Sequence, residues 1–174
     1  MNWTIFHQHV FPIRHKLYRF ALRITGSAQE AEDVVQEVLE RVWKSPAEQS
    51  AAVQNWEAWC MTLTRHRSID KTRMQSQHRA LPLDSLATHS AADPTPAQET
   101  ESRDMAAWVR RLMQELPEKQ RLVMHLRDIE ELSYEEIASV LDISLDQVKV
   151  NLHRARKTIR EKLLKTEVAA PFNP

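Results

Sequence analysis

The 174-residue sequence has one glycine, Gly26, and one cysteine, Cys60, and only 6% of its residues are Phe, Trp or Tyr. A single glycine cannot supply the turns of a β-rich fold or a glycine-rich phosphate-binding loop. A single cysteine cannot form an internal disulfide, which is typical of a protein from a reducing compartment. No apolar run approaches the ~20 residues of a membrane span, and the N-terminus lacks a signal-peptide pattern. We therefore expect an all-α, cytoplasmic protein with no membrane insertion.

The formal net charge is zero, but this neutrality is a cancellation between segments. Residues 65–79 carry five basic residues and one acid, and residues 147–165 carry seven basic residues and one acid. Between them, residues 81–104 carry five acids and one base. Two separate basic patches therefore remain, and each can attract an anionic partner such as a nucleic acid.

A segment rich in Ser, Thr, Ala and Pro divides the chain. It spans residues 81–102, contains three prolines and has little helical periodicity. This composition predicts an extended, flexible linker rather than a surface loop, since structureless loops of that length are uncommon in compact domains. The predicted architecture is two small helical domains, residues 1–80 and 103–168, joined by this linker and followed by a tail, residues 169–174.

The first domain carries the signals of three helices. The first helix is predicted to span Thr4–Thr25, with Gly26 as its C-cap. The second follows Ser27, which can form a capping box with Glu30, and its apolar residues repeat at helical spacing. The third is predicted to begin near Asn55, because Asn is a good N-cap residue.

The second domain contains a predicted helix-turn-helix. Two helices precede it: Arg103–Leu116 and Pro117–Asp128. Two capping boxes follow, eleven residues apart: Ser133 with Glu136, and Ser144 with Gln147. Only residues 142–144 separate the two helices that these boxes begin, which predicts a tight turn. Asp142 is placed where such a turn often needs a left-handed residue.

The helix that begins near Ser144 has distinct faces. Its apolar stripe is Val148, Leu152, Ala155, Ile159 and Leu163. A second stripe is Gln147, Val150, Asn151, Arg154 and Thr158, flanked by Lys149, His153, Arg156, Lys157 and Arg160. Gln and Asn can pair with adenine, Arg with guanine, and an exposed Val can contact a thymine methyl, while Lys and Arg hold phosphates. The pattern favours a helix that binds the major groove, although a charge run alone is also typical of a solvated face.

Three motifs carry a resemblance to a known family. "LPEKQRLVMHLRDIEELSYEEIASVLDISLDQVKVNLHRARKTIREKL", residues 116–163, is similar to the C-terminal promoter-binding domain (region 4) of bacterial RNA polymerase sigma factors. "AEDVVQEVLERVW", residues 31–43, and "WEAWCMTLTRHRSIDKTR", residues 56–73, resemble their N-terminal conserved domain (region 2). With only these two domains and a short linker, the chain is similar to the extracytoplasmic-function (ECF) class.

The resemblance implies a promoter-specificity factor that binds promoter DNA and core RNA polymerase, through the β′ clamp helices and the β subunit. It also implies an inhibitory anti-sigma factor. The residues assigned to the −35 duplex are Gln147, Lys149, Val150, Asn151, His153, Arg154, Arg156, Lys157 and Arg160. The residues assigned to the opened −10 strand are Trp59, Arg65, His66, Asp70, Lys71 and Arg73. The residues assigned to polymerase are Asp33, Gln36, Glu37 and Glu40. Three of them, Asp33, Glu37 and Glu40, line up with Glu30 along an acidic helix edge.

The chain departs from the family pattern at several positions. His66 stands where Asn is usual, Cys60 where Leu is usual, Asp142 where a small residue is usual, and Val150-Asn151 where a Ser-Arg pair is usual. The core stripe and the phosphate-binding cations remain, so the docking mode is expected to be kept. The base preference is not expected to transfer.

Other functions stay open from the residues alone. A stand-alone helix-turn-helix regulator would bind operator DNA without polymerase. An enzyme with an appended DNA-binding domain would need a catalytic constellation, and the sequence shows none, nor grouped metal ligands or a cofactor motif. Trp56 and Trp59 are either a stacking platform for single-stranded DNA or part of a core.

Overall fold

The computed structural model describes residues 3–46, 52–79 and 100–169, with side chains in 3–46, 52–75 and 107–165. All regular structure in those residues is helical, which confirms the all-α prediction. The contacts divide the chain into two compact units, which are described separately. Most of the predicted linker and most of the predicted tail, residues 80–99 and 170–174, lie outside the described residues. No helix among the described residues is long and apolar enough to cross a membrane.

The predicted helix Thr4–Thr25 is wrong in its first half. An α-helical turn at Trp3–Ile5 passes into a π-helix at Phe6–Val10 and a 3₁₀ turn at Phe11–Ile13 before regular α-helix begins. Pro12 explains the break, because it has no N–H to donate and its ring clashes with the carbonyl four residues earlier in a regular α-helix. The spacing of the backbone hydrogen bonds therefore changes in the turns around Pro12 and becomes α-helical at Arg14.

Three helices pack against one another in the first unit: α1 (Arg14–Thr25), α2 (Ala28–Trp43) and α3 (Trp56–Arg79). Their shared core consists of Leu17, Phe20, Ala21, Ala31, Val34, Val35, Val38, Val42, Cys60 and Met61. The predicted apolar stripe of α2 is buried apart from Leu39, which is half-buried. Each fully buried valine stabilises the fold by about 1.5–3 kcal/mol. This core fixes which faces of α2 and α3 remain outside.

The ends of these helices lie where local signals place them. Gly26 has φ 70°, and its N–H bonds to the carbonyl four residues earlier at 2.9 Å. Ser27 Oγ accepts the N–H of Glu30 at 3.4 Å, while the N–H of Ser27 is bound by Thr25 Oγ1. Asn55 Oδ1 accepts the N–H three residues later at 2.9 Å. The predicted C-cap and N-caps are therefore confirmed. The predicted capping box at Ser27 is only half formed, because the N–H of Ser27 bonds to Thr25 and not to the side chain of Glu30.

The second unit contains α4 (Thr100–Gln114), α5 (Glu118–Asp128), α6 (Tyr134–Leu141) and α7 (Leu145–Ala169). Helix α7 packs against α5 and α4. Helix α4 begins three residues before the predicted start, inside the segment assigned to the linker. Helix α5 begins one residue after Pro117, whose extended ψ of 142° makes it the N-cap rather than part of the first turn.

Two non-glycine residues close to the ends of α6 have left-handed backbone, Asp142 with φ 52° and Glu131 with φ 64°. Asp142 confirms the prediction for the tight turn. Glu131, in the turn between α5 and α6, was not predicted. The left-handed region costs an ordinary residue roughly 1–2 kcal/mol, and Asp is tolerated there better than Glu because its short side chain can bond locally.

Candidate nucleic-acid and polymerase interfaces

Both helices of the helix-turn-helix begin with reciprocal capping boxes. The N–H of Glu136 donates to Ser133 Oγ at 3.2 Å, and the N–H of Ser133 donates to Glu136 Oε2 at 2.5 Å. The same pair of bonds joins Ser144 and Gln147, at 3.2 and 3.1 Å. Each box satisfies two backbone donors that a helix start leaves without partners. The local sequence therefore fixes where α6 and α7 begin.

A buried polar pair supports the chain that leads into α6. His125 on α5 is 2% exposed, Glu130 is 1% exposed, and Nε2 of His125 lies 3.2 Å from Oε1 of Glu130. The N–H of Glu130 also donates to the carbonyl of His125 at 3.1 Å. This contact holds the end of α5 against the turn that contains Glu131. No sequence pattern predicted this pair, because a lone His in an apolar run does not indicate which residue it will contact.

Helix α7 separates into the faces predicted for it. Val148, Leu152, Ala155 and Ile159 are buried, while Leu163 is half-buried. The exposed residues assigned to DNA are Gln147, Lys149, Val150, His153, Arg154, Arg156, Lys157 and Arg160. A groove of roughly 710 Å³ beside α7 is lined by Tyr134, Lys149, Leu152, His153, Arg156, Lys157, Arg160, Glu161 and Leu164. Since four of these residues are cationic and one is acidic, the groove suits a phosphate backbone.

Several residues assigned to DNA already have partners within the fold. Lys149 and Lys157 lie 3.8 and 3.9 Å from Asp146 and Glu161 on α7 itself. The Arg156 guanidinium donates to both carboxylate oxygens of Asp128 on α5, at 2.5 and 3.3 Å. The hydrogen bond with Asp128 raises the pKa of Arg156. Asn151 is half-buried, and its Nδ2 donates to the carbonyl of Gln147 at 2.8 Å. Arg156 therefore ties α7 to α5 in addition to lying at the groove.

The acidic edge of α2 is paired with cations of α3. Lys71 Nζ lies 3.1 Å from Asp33, 3.5 Å from Glu30 and 3.5 Å from Glu37, and Arg67 also binds Glu37. The hydrogen bond from Arg67 holds the pKa of Glu37 below its usual value. Lys71 has only 17% of its side chain exposed, so it lies against α2 rather than on the outer face of α3.

The other polymerase residues of α2 are more exposed. Gln36 is exposed, and Glu40 has 61% of its side chain exposed and pairs with Lys44 one turn later. Asp33 keeps 50% of its side chain exposed despite its contact with Lys71. The edge therefore still presents carboxylates to a partner, although their charge is partly balanced within the unit.

The residues of α3 that the sequence assigned to the −10 strand fall into two groups. Trp59, His66, Asp70 and Arg73 share the face opposite the buried residues, since their spacing of seven, four and three residues follows the helical period. Of these four, Trp59 is half-buried and the rest are exposed; Arg65, off this face, is half-buried. The structure therefore brings four of the six assigned residues onto one face of α3, whereas Lys71 lies against α2.

Aromatic rings surround the start of α3. Trp56 and Trp59 meet edge to face at 5.6 Å, and His9 stacks on Trp56 at 6.5 Å. Both tryptophans are half-buried, so each one contributes to packing and still has an accessible surface. No sequence pattern predicted the contact between His9 and Trp56, because the two residues are brought together only by tertiary packing. Base stacking on such rings is worth about 1–3 kcal/mol per base.

Cys60 does not supply a nucleophile. Its side chain is buried in the core, and burial raises the pKa of the Cys60 thiol to about 12. A thiol with this pKa is protonated near neutral pH, and only the thiolate attacks or binds metal.

Comparison with known proteins identifies the family. The model "Sigma-70, region 4" matches residues 106–159, and "Sigma-70 region 2" matches residues 13–78. The ECF RNA polymerase sigma factor SigL of Mycobacterium tuberculosis is 32% identical over 148 residues, covering 83% of this chain and 80% of that protein. The chain belongs to the ECF RNA polymerase sigma factors.

Other relatives agree with this assignment. The ECF sigma factor SigE of Mycolicibacterium smegmatis is 34% identical over 152 residues, which are 86% of this chain and 58% of that protein. A solved structure of the sigma factor RpoE with the anti-sigma factor NepR, from Bartonella quintana, matches the fold with a TM-score of 0.68. That match has 23% identity and covers 91% of this chain and 96% of that one. The sigma factor therefore has the predicted kind of fold, and its helix-turn-helix lies within region 4.

Proposed function

We propose that this sigma factor directs core RNA polymerase to promoters by using α2 for polymerase, α3 for the opened −10 strand and α7 for the −35 duplex. The observation that carries the proposal is the geometry of α7. Its apolar face is buried, its outer face presents a row of cations, and reciprocal capping fixes the turn before it. This is the arrangement by which a helix-turn-helix places its second helix in the major groove.

The −35 contacts divide into positioning and base contacts. Lys149, Lys157 and Arg160 line the groove, and contacts from them to phosphates fix the register without selecting sequence. Gln147, Val150 and Arg154 are exposed on α7 and would face the bases. Because each phosphate contact contributes about −0.9 to the slope of log K against log salt, DNA affinity should fall steeply as salt rises.

The −10 contacts come from the outer face of α3. Trp59, His66 and Arg73 place an aromatic ring, an imidazole and a guanidinium along one helix face. Once the duplex opens, bases expose their faces, and stacking on rings beside cations stabilises the single strand. Asp70 lies on the same face and can accept hydrogen bonds from base amino groups.

Polymerase contacts are assigned to Asp33, Gln36, Glu37 and Glu40 of α2, which would meet basic residues on the β′ clamp helices. In the free chain Asp33 and Glu37 already contact Lys71 and Arg67. A cationic partner surface therefore has to share or replace these pairs. Exposed pairs of this kind are worth about 0–1 kcal/mol each, so they do not prevent a larger interface from forming.

The proposal assigns no chemistry to the chain itself. It places the protein in the cytoplasm, where polymerase and promoter DNA are found, and it includes an anti-sigma factor that would cover the same surfaces; the solved RpoE structure contains an anti-sigma factor, NepR. The polymerase would supply every catalytic group, and its β subunit would contact the second unit.

A pull-down with purified core RNA polymerase, followed by promoter-dependent transcription, tests the proposal. Asp33→Lys and Glu37→Lys should weaken the association, whereas Glu32→Lys, an exposed acid on the same helix, should leave it intact. Thermal melts check that each variant is folded. If the chain does not associate with polymerase but binds duplex DNA tightly alone, it is a stand-alone regulator. If both substitutions leave the association intact, the assigned polymerase surface is wrong.

Because α4 begins at Thr100, the segment 81–99 is proposed to connect the two DNA-binding units. A flexible chain of this length has a mean end-to-end distance of about 22–26 Å. Fully extended, it reaches roughly 65 Å, enough to bridge sites more than one ~34 Å DNA turn apart. Scrambling its sequence should therefore preserve promoter-dependent transcription, and deleting half of it should abolish transcription. Full activity after the deletion would contradict the two-site proposal.

A further inference from the structure

Val150 is an apolar side chain on the surface of α7, where the fold does not require an apolar residue. Among residues 145–155, all of which the structure describes, Val150 is the one exposed apolar side chain, with 45% of its surface accessible. It lies two positions after the buried Val148, which at about 100° per residue turns it almost directly away from the core. Its cationic neighbours on the helix surface include Arg154, which is exposed one turn later.

The polar side chains beside Val150 have part of their hydrogen-bonding capacity already in use. Gln147 Oε1 accepts the N–H of Ser144 at 3.1 Å, so Gln147 offers a base mainly its amide donors. Asn151 Nδ2 donates to the carbonyl of Gln147 at 2.8 Å, so Asn151 offers mainly its Oδ1 acceptor. Neither side chain is free to form the bidentate contact by which Gln or Asn identifies adenine unless these bonds break.

We infer that Val150 selects thymine at one position of the −35 element by packing against the thymine C5-methyl group. This inference rests on the proposed function and adds a base preference to the −35 site. The thymine methyl is the apolar group that the major groove presents. Adenine and cytosine would instead place an amino donor against the valine, where it would lose water and gain no partner. An apolar side chain on the side of α7 opposite the core therefore distinguishes thymine from the other bases through the methyl group.

The size of the effect follows from burial of one methyl group. Removing a buried methyl from an apolar contact lowers affinity about fourfold. This is smaller than the effect of a good bidentate pair, so Val150 should set a preference for thymine rather than an absolute requirement.

The test uses core RNA polymerase carrying the full chain and a promoter library with a randomised upstream element. Each thymine of the selected −35 element is then replaced singly by deoxyuridine, which removes only the methyl group, and holoenzyme binding is measured. One position should lose about fourfold in affinity with the wild-type chain. The same replacement should have no effect with Val150→Ala, and most of the effect should persist with Val150→Thr, which keeps one methyl group.

Ile129→Ala provides the matched control. Ile129 is also an exposed, β-branched apolar residue, but it lies in the turn after α5 and not on α7, so this variant should keep the wild-type response to deoxyuridine. If an upstream element is selected but no deoxyuridine position weakens binding, or the loss persists in Val150→Ala, the inference is overturned while the proposed function stands. If no upstream element is enriched, both are overturned.

Discussion

Replacing one member of the buried His125–Glu130 pair should destabilise the second unit severely. Both side chains are almost fully buried, and the two atoms lie 3.2 Å apart. Removing one partner of a buried pair leaves the other desolvated and costs roughly 3–5 kcal/mol. A unit of this size has a total stability on the order of 4–10 kcal/mol. His125→Leu or Glu130→Leu should therefore remove a large part of that stability, and the double variant should cost less than the sum of the two.

Hydrogen exchange measured by mass spectrometry on the full chain is the assay, because it reports each unit separately. Amides of α5 and α7 should exchange about 100-fold faster or more in each single variant, since ~3 kcal/mol corresponds to that factor. His15→Leu, at an exposed position on α1, is the control and should leave this exchange unchanged. A loss of unfolding free energy below 1 kcal/mol in both single variants would refute the reasoning. Strictly additive losses in the double variant would also refute it, because they would show that the two side chains do not depend on each other.

Three further predictions follow from individual residues. Glu131→Gly should stabilise the chain by about 0.5–1 kcal/mol in thermal melts, because removing the strain of a left-handed Glu outweighs the conformational-entropy cost of Gly. Asp142→Gly should give a smaller gain in stability, since Asp tolerates the left-handed region better. Equal gains for the two variants would contradict this argument. Because the folded state lowers the pKa of Glu37, its carboxylate stabilises the fold above its unfolded pKa of about 4.3, and this stabilisation is lost as the pH falls towards the folded pKa. The free energy of unfolding, measured in urea at pH 3 and pH 6, should therefore differ less between the two pH values in Glu37→Gln than in the wild-type chain. Cys60 should resist an alkylating reagent at pH 8 in the native chain and react after unfolding in urea, and rapid native labelling would show that the thiol is accessible.

Much of the fold could be predicted because its signals are local. The capping boxes at Ser133 and Ser144, the C-cap at Gly26 and the left-handed Asp142 each depend on residues within one helical turn of one another. The π-helical break before α1 also had a local signal in Pro12, which the apolar periodicity of the segment obscured.

The candidate interfaces were predictable only in part. Composition and helical period identified the exposed row on α7 and the shared face of α3. The period alone could not show that Lys71 lies against α2 or that Arg156 contacts Asp128. These partners are 38 and 28 residues apart in sequence, so their contact depends on how two helices pack.

The sequence by itself determined the helices, their ends and the face of α7 that carries the cations, because these depend on backbone bonding and on a period of 3.6 residues. Only the tertiary structure decided which of those charges remain available to a partner. Helix packing paired Lys71, Arg67 and Arg156 with carboxylates on neighbouring helices and left Val150 and Arg154 facing outwards. The reason is physical: a charge becomes a contact within the fold only when the core places an opposite charge within about 4 Å of it.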